Sequence, residues 1–138
     1  RSMALAFARL IAAEPGSAPD RLARAMTSHP FLVAGTDRLC TRLMEVTSGR
    51  VLAKVGAEGV YGAASREGGV GIALKARDGA RRAAEAALIG VLDALDLLRA
   101  GELEALEPWA RQARATFFKC LRYLAAELAE HYREARGE

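Results

Sequence analysis

The sequence has 138 residues, with 20 Lys and Arg against 17 Asp and Glu, a net charge of +3 and 51% apolar residues. A chain of this kind can bury one ordinary core, which excludes a fibre or a disordered tail. It contains no apolar run of the ~18 residues that a membrane span needs, and its N-terminus lacks the order of a signal peptide. We therefore expect a cytoplasmic protein without a membrane partner. The small positive excess contains no basic run, so no nucleic-acid partner is predicted either.

Cysteine and histidine are few and far apart. Cys40 and Cys120 fit no Cys-x-x-Cys spacing, and His29 and His131 are the two imidazoles of the chain. A metal site built within these residues would be short of ligands. The sequence thus predicts free thiols and no cofactor held by this chain.

Apolar residues at helical spacing predict three helices in the first 49 residues. Breaker-rich runs separate them, at Glu14–Pro19 and around His29–Pro30. The predicted helices are Ser2–Ala13, Asp20–Met26 with Asp20 as its cap, and a third that begins at Thr36 or Asp37 and ends at Ser48–Gly49, after a connector over Phe31–Thr36.

The hydrophobic period changes after Gly49. Three short, partly β-branched runs predict strands at Arg50–Val55, Val60–Ala64 and Val70–Ala76. The loop that contains Gly68–Gly69 suits an antiparallel hairpin. We therefore expect a three-stranded antiparallel meander.

The C-terminal part is predicted to be helical. Asp78, read as a cap, and Gly79 precede a long helix over Ala80–Leu98 that would cover the strands. The remainder, Glu102–Glu138, is predicted to be helical, with the helix restarted at Pro108. Its apolar stripe fits either a partner chain or the protein's own core, and we favour the core because the side chains are too mixed for a coiled-coil seam. The predicted class is α/β (α+β), with residues 1–110 as one segment and 111–138 as a helical tail packed on the same domain.

Lys54 is the candidate with the most chemistry. A strand lysine among apolar neighbours would lose hydration, which makes its amine a better proton carrier near neutral pH. Gly56 would let a substrate lie against the backbone beside that amine. The competing interpretation is an exposed lysine that protects an edge strand from aggregation.

Four consecutive blocks of the sequence match one known family in order and spacing. They are Met26–Thr41, Gly49–Tyr61, Gly71–Lys75 and Asp78–Ala80. With the residues between them, from about Met3 to about Ala110, they resemble the C-terminal part of the bacterial rhizobial-type L-asparaginases (L-asparaginase II).

This resemblance implies an amidohydrolase with a serine β-lactamase-like fold, in which Ser-Lys pairs attack a side-chain amide. Lys54 matches the lysine of a Lys-x-Gly strand beside the site and would exchange a proton with the nucleophilic serine. Gly56 and Glu58 are the expected substrate-binding residues. From the residues themselves, Glu58 would orient either Lys54 or a substrate ammonium, and the alternative, which Gly59 beside it suggests, is a turn in which the carboxylate is only solvated. The family's zinc site would lie upstream of the matched region.

The nucleophile motif of the family is missing from these residues. The positions three after Ser2, Ser17, Ser28, Ser48 and Ser65 hold Leu5, Asp20, Phe31, Val51 and Gly68. Thr116 and Lys119 have the right spacing but lie outside the resemblance. We therefore expect the isolated chain to be inactive on its small-molecule amide substrate unless a missing N-terminal half supplies the serine. The alternative is a non-catalytic remnant that self-associates, for example as a homodimer.

The remaining polar candidates receive structural interpretations. Cys40 is expected to be a buried, inert thiol, because it lies on the apolar face of its helix. His29 is expected in a loop or cap, and Tyr61 and Lys75 on the outer face of the sheet.

Overall fold

A computed structural model describes residues 2–116, and the side chains of residues 2–111. The described helices are α1 (Ser2–Ile11), α2 (Ala18–Ser28), α3 (Pro30–Ala34), α4 (Leu39–Val46), α5 (Arg81–Ala94), α6 (Ala100–Ala105) and α7 (Glu107–Thr116). The strands are β1 (Val51–Val55), β2 (Val60–Ser65) and β3 (Val70–Lys75). These elements confirm the predicted α+β class.

The chain divides into two compact units, one up to Ala84 and one from Glu85 onwards. Residues 117–138, which include most of the predicted tail helix, Cys120 and His131, lie outside the described residues. The predicted distinction between a segment 1–110 and a tail 111–138 therefore stays a prediction.

The sheet has the order β1-β2-β3, and both neighbouring pairs are antiparallel. Lys54 lies opposite Gly62, which in turn lies opposite Ala73. Residues that face each other across antiparallel strands share one face of the sheet. The predicted meander is confirmed, and its register places Lys54 on the same face as Gly62 and Ala73.

Helix α1 packs across that face of the sheet, over β2 and β3. A Cβ atom added to Gly62 would collide with the ring of Phe7, and one added to Gly71 would collide with the backbone oxygen of Ala4. These glycines therefore let α1 approach the sheet far more closely than larger residues would. Towards its C-terminal end, α1 joins a buried cluster with α2, β1 and β2. The members are Ile11, Ala23, Leu52 and Ala64, with Phe7, Leu10 and Met26 packed against them.

The start of α2 is fixed by two reciprocal hydrogen bonds. The backbone N–H of Asp20 donates to Ser17 Oγ at 3.4 Å, and the backbone N–H of Gly16 donates to Asp20 Oδ2 at 2.8 Å. Ser17, rather than Asp20, is thus the N-terminal cap, and the helix begins at Ala18. The Asp20 carboxylate is buried and also accepts from Arg24 Nε at 2.9 Å.

Helix α4 packs against β1 and contributes buried apolar side chains. Leu39, Cys40, Leu43 and Met44 are all buried. The helix ends at Thr47, whose hydroxyl donates to Leu43 O at 2.7 Å and accepts from Val51 N at 3.4 Å. The predicted connector before α4 contains a short helix instead, α3, because Pro30 stands at its first position, where a missing N–H costs nothing.

The second unit begins within α5, which ends earlier than predicted. The chain leaves the helix at Ala94, Asp96 takes a positive φ of 54°, and Leu97 N donates back to Leu92 O at 2.9 Å. Leu88, Leu92 and Leu106 are fully buried. Helix α7 starts at Glu107 with Pro108 in its first turn, as the sequence predicts. Within residues 2–116, no helix combines the length and apolarity that crossing a membrane requires.

Candidate active site

Lys54 is near the end of β1, and its side chain is exposed. Its Nζ donates a hydrogen bond to the backbone oxygen of Val55 at 2.7 Å. The expectation that apolar neighbours dehydrate this amine is wrong, because β1 is the outer strand of the described sheet and a long lysine side chain can reach water around its edge. The Lys54 amine is therefore accessible to solvent at the outer edge of β1.

The hydrogen-bond pattern explains why Val55 is available to Lys54. Gly56 N donates to Val60 O at 2.8 Å and Arg66 N donates to Arg50 O at 2.9 Å, so even-numbered residues of β1 bond towards β2. Bonding direction alternates along an antiparallel strand, and odd-numbered residues consequently point their N–H and C=O groups outwards. The outward oxygen of Val55 draws the ammonium of Lys54 to the outer edge of β1.

Gly56 follows the last residue of β1 and begins the loop to β2. A Cβ atom at this position would lie 3.2 Å from Val60 Cβ, which is tighter than normal packing allows. The close cross-strand approach of Val60 is therefore a local reason for glycine here. It is independent of whether a substrate lies against this backbone.

Glu58 lies in the same loop and is exposed, with a positive φ of 52°. Gly59 follows with φ 69°, and Val60 N donates to Ala57 O at 3.1 Å, so the loop contains a tight turn with two successive left-handed residues. The backbone oxygen of Glu58 accepts a hydrogen bond from Lys75 Nζ. No described contact joins the Glu58 carboxylate to Lys54, so Glu58 does not orient that amine by an ion pair here.

Lys75 and Tyr61 do not share a face of the sheet. Lys75 lies opposite Val60 and hence on the face of Lys54, where it is exposed as predicted. Tyr61 lies on the other face and is fully buried, which contradicts the expected outer position. The prediction for Tyr61 is wrong because both faces of the sheet are covered, one by α1 and the other by α4, which strand alternation does not reveal.

Cys40 forms a buried hydrogen bond with Tyr61. Its Sγ donates to Tyr61 Oη at 3.6 Å, and the residue has no solvent exposure. Burial raises the pKa of the Cys40 thiol, an effect that the nearby Tyr61 hydroxyl and the backbone of Val55 oppose. The predicted buried position of Cys40 is confirmed. His29 is exposed at the junction of α2 and α3, and its side chain does not cap α3.

The described side chains, those of residues 2–111, contain no group of three or more His, Cys, Asp and Glu that could hold a metal ion. The zinc site that the resemblance implies is expected upstream of the matched region.

The family itself is established by comparison with known protein families. The L-asparaginase II family matches residues 1–117, a range that includes β1, β2, β3 and the candidate residues Lys54, Gly56 and Glu58. The fold and the candidate site thus belong to a protein of the asparaginase class. The chain is a member of the L-asparaginase II family. A search of curated proteins finds no significant match to it.

Proposed function

We propose that this chain forms part of an amidohydrolase active site that converts L-asparagine to aspartate and ammonia. The supporting observation is that Lys54 and Gly56, as a Lys-x-Gly segment, lie within the residues that match the L-asparaginase II family. The β-lactamase-like architecture of the complete site is part of the same proposal, with β1 bordering the site.

In the proposed reaction Lys54 accepts the proton of a serine hydroxyl while the serine oxygen attacks the side-chain carbonyl carbon of asparagine. The carbon–nitrogen bond breaks, and the nitrogen takes a proton from Lys54 and leaves as ammonia. Water then cleaves the acyl-serine ester to release aspartate. An adjacent base is needed because a serine hydroxyl is a weak nucleophile at its ordinary pKa.

The position of Lys54 supports this role. Its Nζ is exposed at the edge of β1, where it donates to Val55 O at 2.7 Å, so a serine from another segment can reach it, and the role of base requires the neutral amine. Gly56 is proposed to leave room for the substrate beside the strand. Glu58 is proposed to bind the α-ammonium group of asparagine.

The serine nucleophile is proposed to come from outside these 138 residues. No serine in the sequence is followed by lysine three positions later. The isolated chain should therefore not release ammonia from L-asparagine.

Complementation tests this function directly. The full chain is mixed with, or fused behind, an upstream segment of a family member that carries the Ser-x-x-Lys motif, and ammonia release from L-asparagine is measured. We expect turnover only in the presence of that segment, and a loss of about a hundredfold or more with Lys54→Ala. Lys119→Ala is the matched control, since this lysine lies beyond the family match.

Two outcomes would overturn the assignment of Lys54. One is full activity of the Lys54→Ala variant. The other is loss of activity in Lys119→Ala, which would identify the Thr116-Lys119 spacing as the catalytic pair.

A second candidate function is self-association without catalysis. Phe31 and Leu32 in α3 are 58% and 79% exposed, and apolar side chains exposed together are typical of interaction surfaces. Size-exclusion chromatography with light scattering distinguishes the two functions. A tight homodimer that gains no turnover from the upstream segment would favour this candidate.

A further inference from the structure

The loop between β1 and β2 is held from one side by the end of β3. Lys75 Nζ donates to the backbone oxygen of Glu58, and Ala76 N donates to Gly59 O at 2.9 Å. A Cβ atom at Gly59 would lie 2.8 Å from Ala76 Cβ, so the two segments are in direct contact. The loop is thus in contact with the backbone that follows β3 and with a side chain 17 positions further along the chain than Glu58.

Glu58 is an unusual residue for its place in this turn. Two successive left-handed residues are the preference of Asn-Gly and Asp-Gly, whereas glutamate has a Cβ and no short polar group to favour that conformation. A non-glycine residue persists there only where its surroundings fix it. The bond from Lys75 to the Glu58 carbonyl is one such constraint, and it acts on the residue that carries the proposed substrate-binding carboxylate.

The Lys75 side chain makes a hydrogen bond to the loop although it is exposed to solvent. Its side chain is exposed on the face of the sheet that also carries Lys54, and the bond to Glu58 joins the end of β3 to the loop after β1. A solvent-exposed lysine is commonly replaced without effect on a fold. The contact that distinguishes Lys75 from other exposed cations is its bond to the strained turn.

We propose that Lys75 is a positioning residue, which holds Glu58 in its left-handed conformation so that the Glu58 carboxylate meets the α-ammonium group of L-asparagine beside Lys54. This inference rests on the proposed function. It assigns a substrate-discriminating role to a residue outside the Lys-x-Gly segment.

The consequence is a preference between two ligands that differ by one group. L-asparagine carries the α-ammonium, and succinamate is the same molecule without its amino group. Binding to the full chain is followed by NMR titration of the Gly56 and Gly59 amide signals with each ligand. The wild-type chain should bind L-asparagine about fivefold more tightly than succinamate.

Substitutions at Lys75 distinguish an effect on the position of Glu58 from an effect on the stability of the protein. Lys75→Met should reduce the ligand preference to about twofold or less, Lys75→Arg should restore most of it, and Arg77→Met, which removes a neighbouring exposed cation, should leave it unchanged. A general loss of stability would weaken both ligands together and would not change their ratio.

Glu58 itself gives a second measurement. Glu58→Asn should raise the melting temperature by about 2–4 °C, because asparagine accepts a positive φ more readily, and it should also abolish the ligand preference. A variant that is more stable and less selective would show that the strained glutamate is retained for binding.

The possible failures are distinguishable. If the chain complemented with the upstream segment shows no turnover, or binds both ligands regardless of Lys54→Ala, the proposed function is wrong and this inference falls with it. If the complemented chain is active but the chain binds neither ligand, the proposed function stands and the ligand contact of Glu58 that Lys75 is proposed to position is overturned. If L-asparagine is preferred and the Lys75→Met variant matches Arg77→Met, the proposed function stands and the positioning role of Lys75 is overturned.

Discussion

The ring of Phe7 occupies the space that a side chain at position 62 would need. Position 62 is a glycine of β2, and it lies opposite Lys54 of β1. The glycine in β2 and the aromatic ring in α1 therefore form one packing unit. This unit fixes how closely the first helix approaches the sheet that carries the candidate site.

Gly62→Ala should destabilise the protein by about 1–3 kcal/mol, because the new methyl group overlaps the Phe7 ring. The double variant Gly62→Ala/Phe7→Leu should recover part of this loss, since the smaller side chain leaves the contested space. Urea denaturation measures both. Gly101→Ala, where an added Cβ would meet nothing within 4 Å, is the control and should be neutral or slightly stabilising. Equal effects of the two alanine substitutions would refute the packing unit.

Gly71→Ala should be more damaging than Gly62→Ala. Its added methyl group would meet the backbone of α1 at Ala4 and Ala8, and a backbone cannot rotate away as a side chain can. We expect faster amide exchange in α1, measured by hydrogen–deuterium exchange, together with a lower urea midpoint. Truncation of Phe7 should give no recovery in this case. A Gly71→Ala protein with wild-type exchange in α1 would contradict the close helix–sheet contact.

Asp20 should make stability depend on pH in the acid range. In the folded protein, a hydrogen bond from the backbone N–H of Gly16 holds the pKa of the Asp20 carboxyl below its ordinary value of 3.8. A hydrogen bond from the Arg24 side chain is the next largest cause. The unfolded chain therefore binds more protons than the folded chain between the two pKa values, so stability is fully present above about pH 4 and is lost as the pH falls through the folded pKa. Free energies of unfolding measured at several pH values should show this loss in the wild type and a smaller one in Asp20→Asn.

The control for Asp20→Asn is Asp37→Asn. Asp37 is exposed and has φ 53°, a conformation that asparagine adopts as readily as aspartate. This variant should retain the acid dependence of the wild type. If Asp20→Asn and Asp37→Asn have the same profile, the hydrogen bonds at the start of α2 do not govern acid stability.

Cys40 should react slowly in the folded protein. Burial raises the pKa of its thiol and shields the sulfur, so both the thiolate fraction and the access of a reagent are reduced. Alkylation followed by peptide mass spectrometry should find Cys40 labelled at least about tenfold more slowly in buffer than in denaturing urea. Labelling of the native thiol at the unfolded rate would show that this part of α4 opens freely.

The strands could be predicted from the sequence almost residue by residue. Val51, Val55, Val60 and Val70 open or close the β-branched runs, and glycines stand in both loops between the strands. The end of α5 was missed because the apolar spacing continues through Leu98, while the chain actually turns at Asp96. A positive φ at a residue other than glycine leaves little trace in sequence periodicity.

The candidate site residues Lys54, Gly56 and Glu58 stay predictions, whereas their surroundings could not be predicted from the sequence. The Lys-x-Gly spacing identified Lys54 through the family resemblance, yet the hydration of that amine depends on β1 being an outer strand, which strand composition does not reveal. The bond from Lys75 to Glu58 joins positions 17 apart and exists only after the sheet has formed. Contacts of this kind are set by register, which a single sequence does not display.

The outer margin of β1 is already occupied at both ends by the chain's own side chains. The Thr47 hydroxyl accepts from the N–H of Val51, and the ammonium of Lys54 donates to the oxygen of Val55. A strand of another molecule that extended the sheet at β1 would have to displace the Thr47 hydroxyl and desolvate the Lys54 ammonium. Lys54, the residue proposed for proton transfer, therefore also discourages sheet growth between molecules. Replacing Lys54 thus removes a barrier to aggregation, and the solubility of any Lys54 variant is informative in its own right.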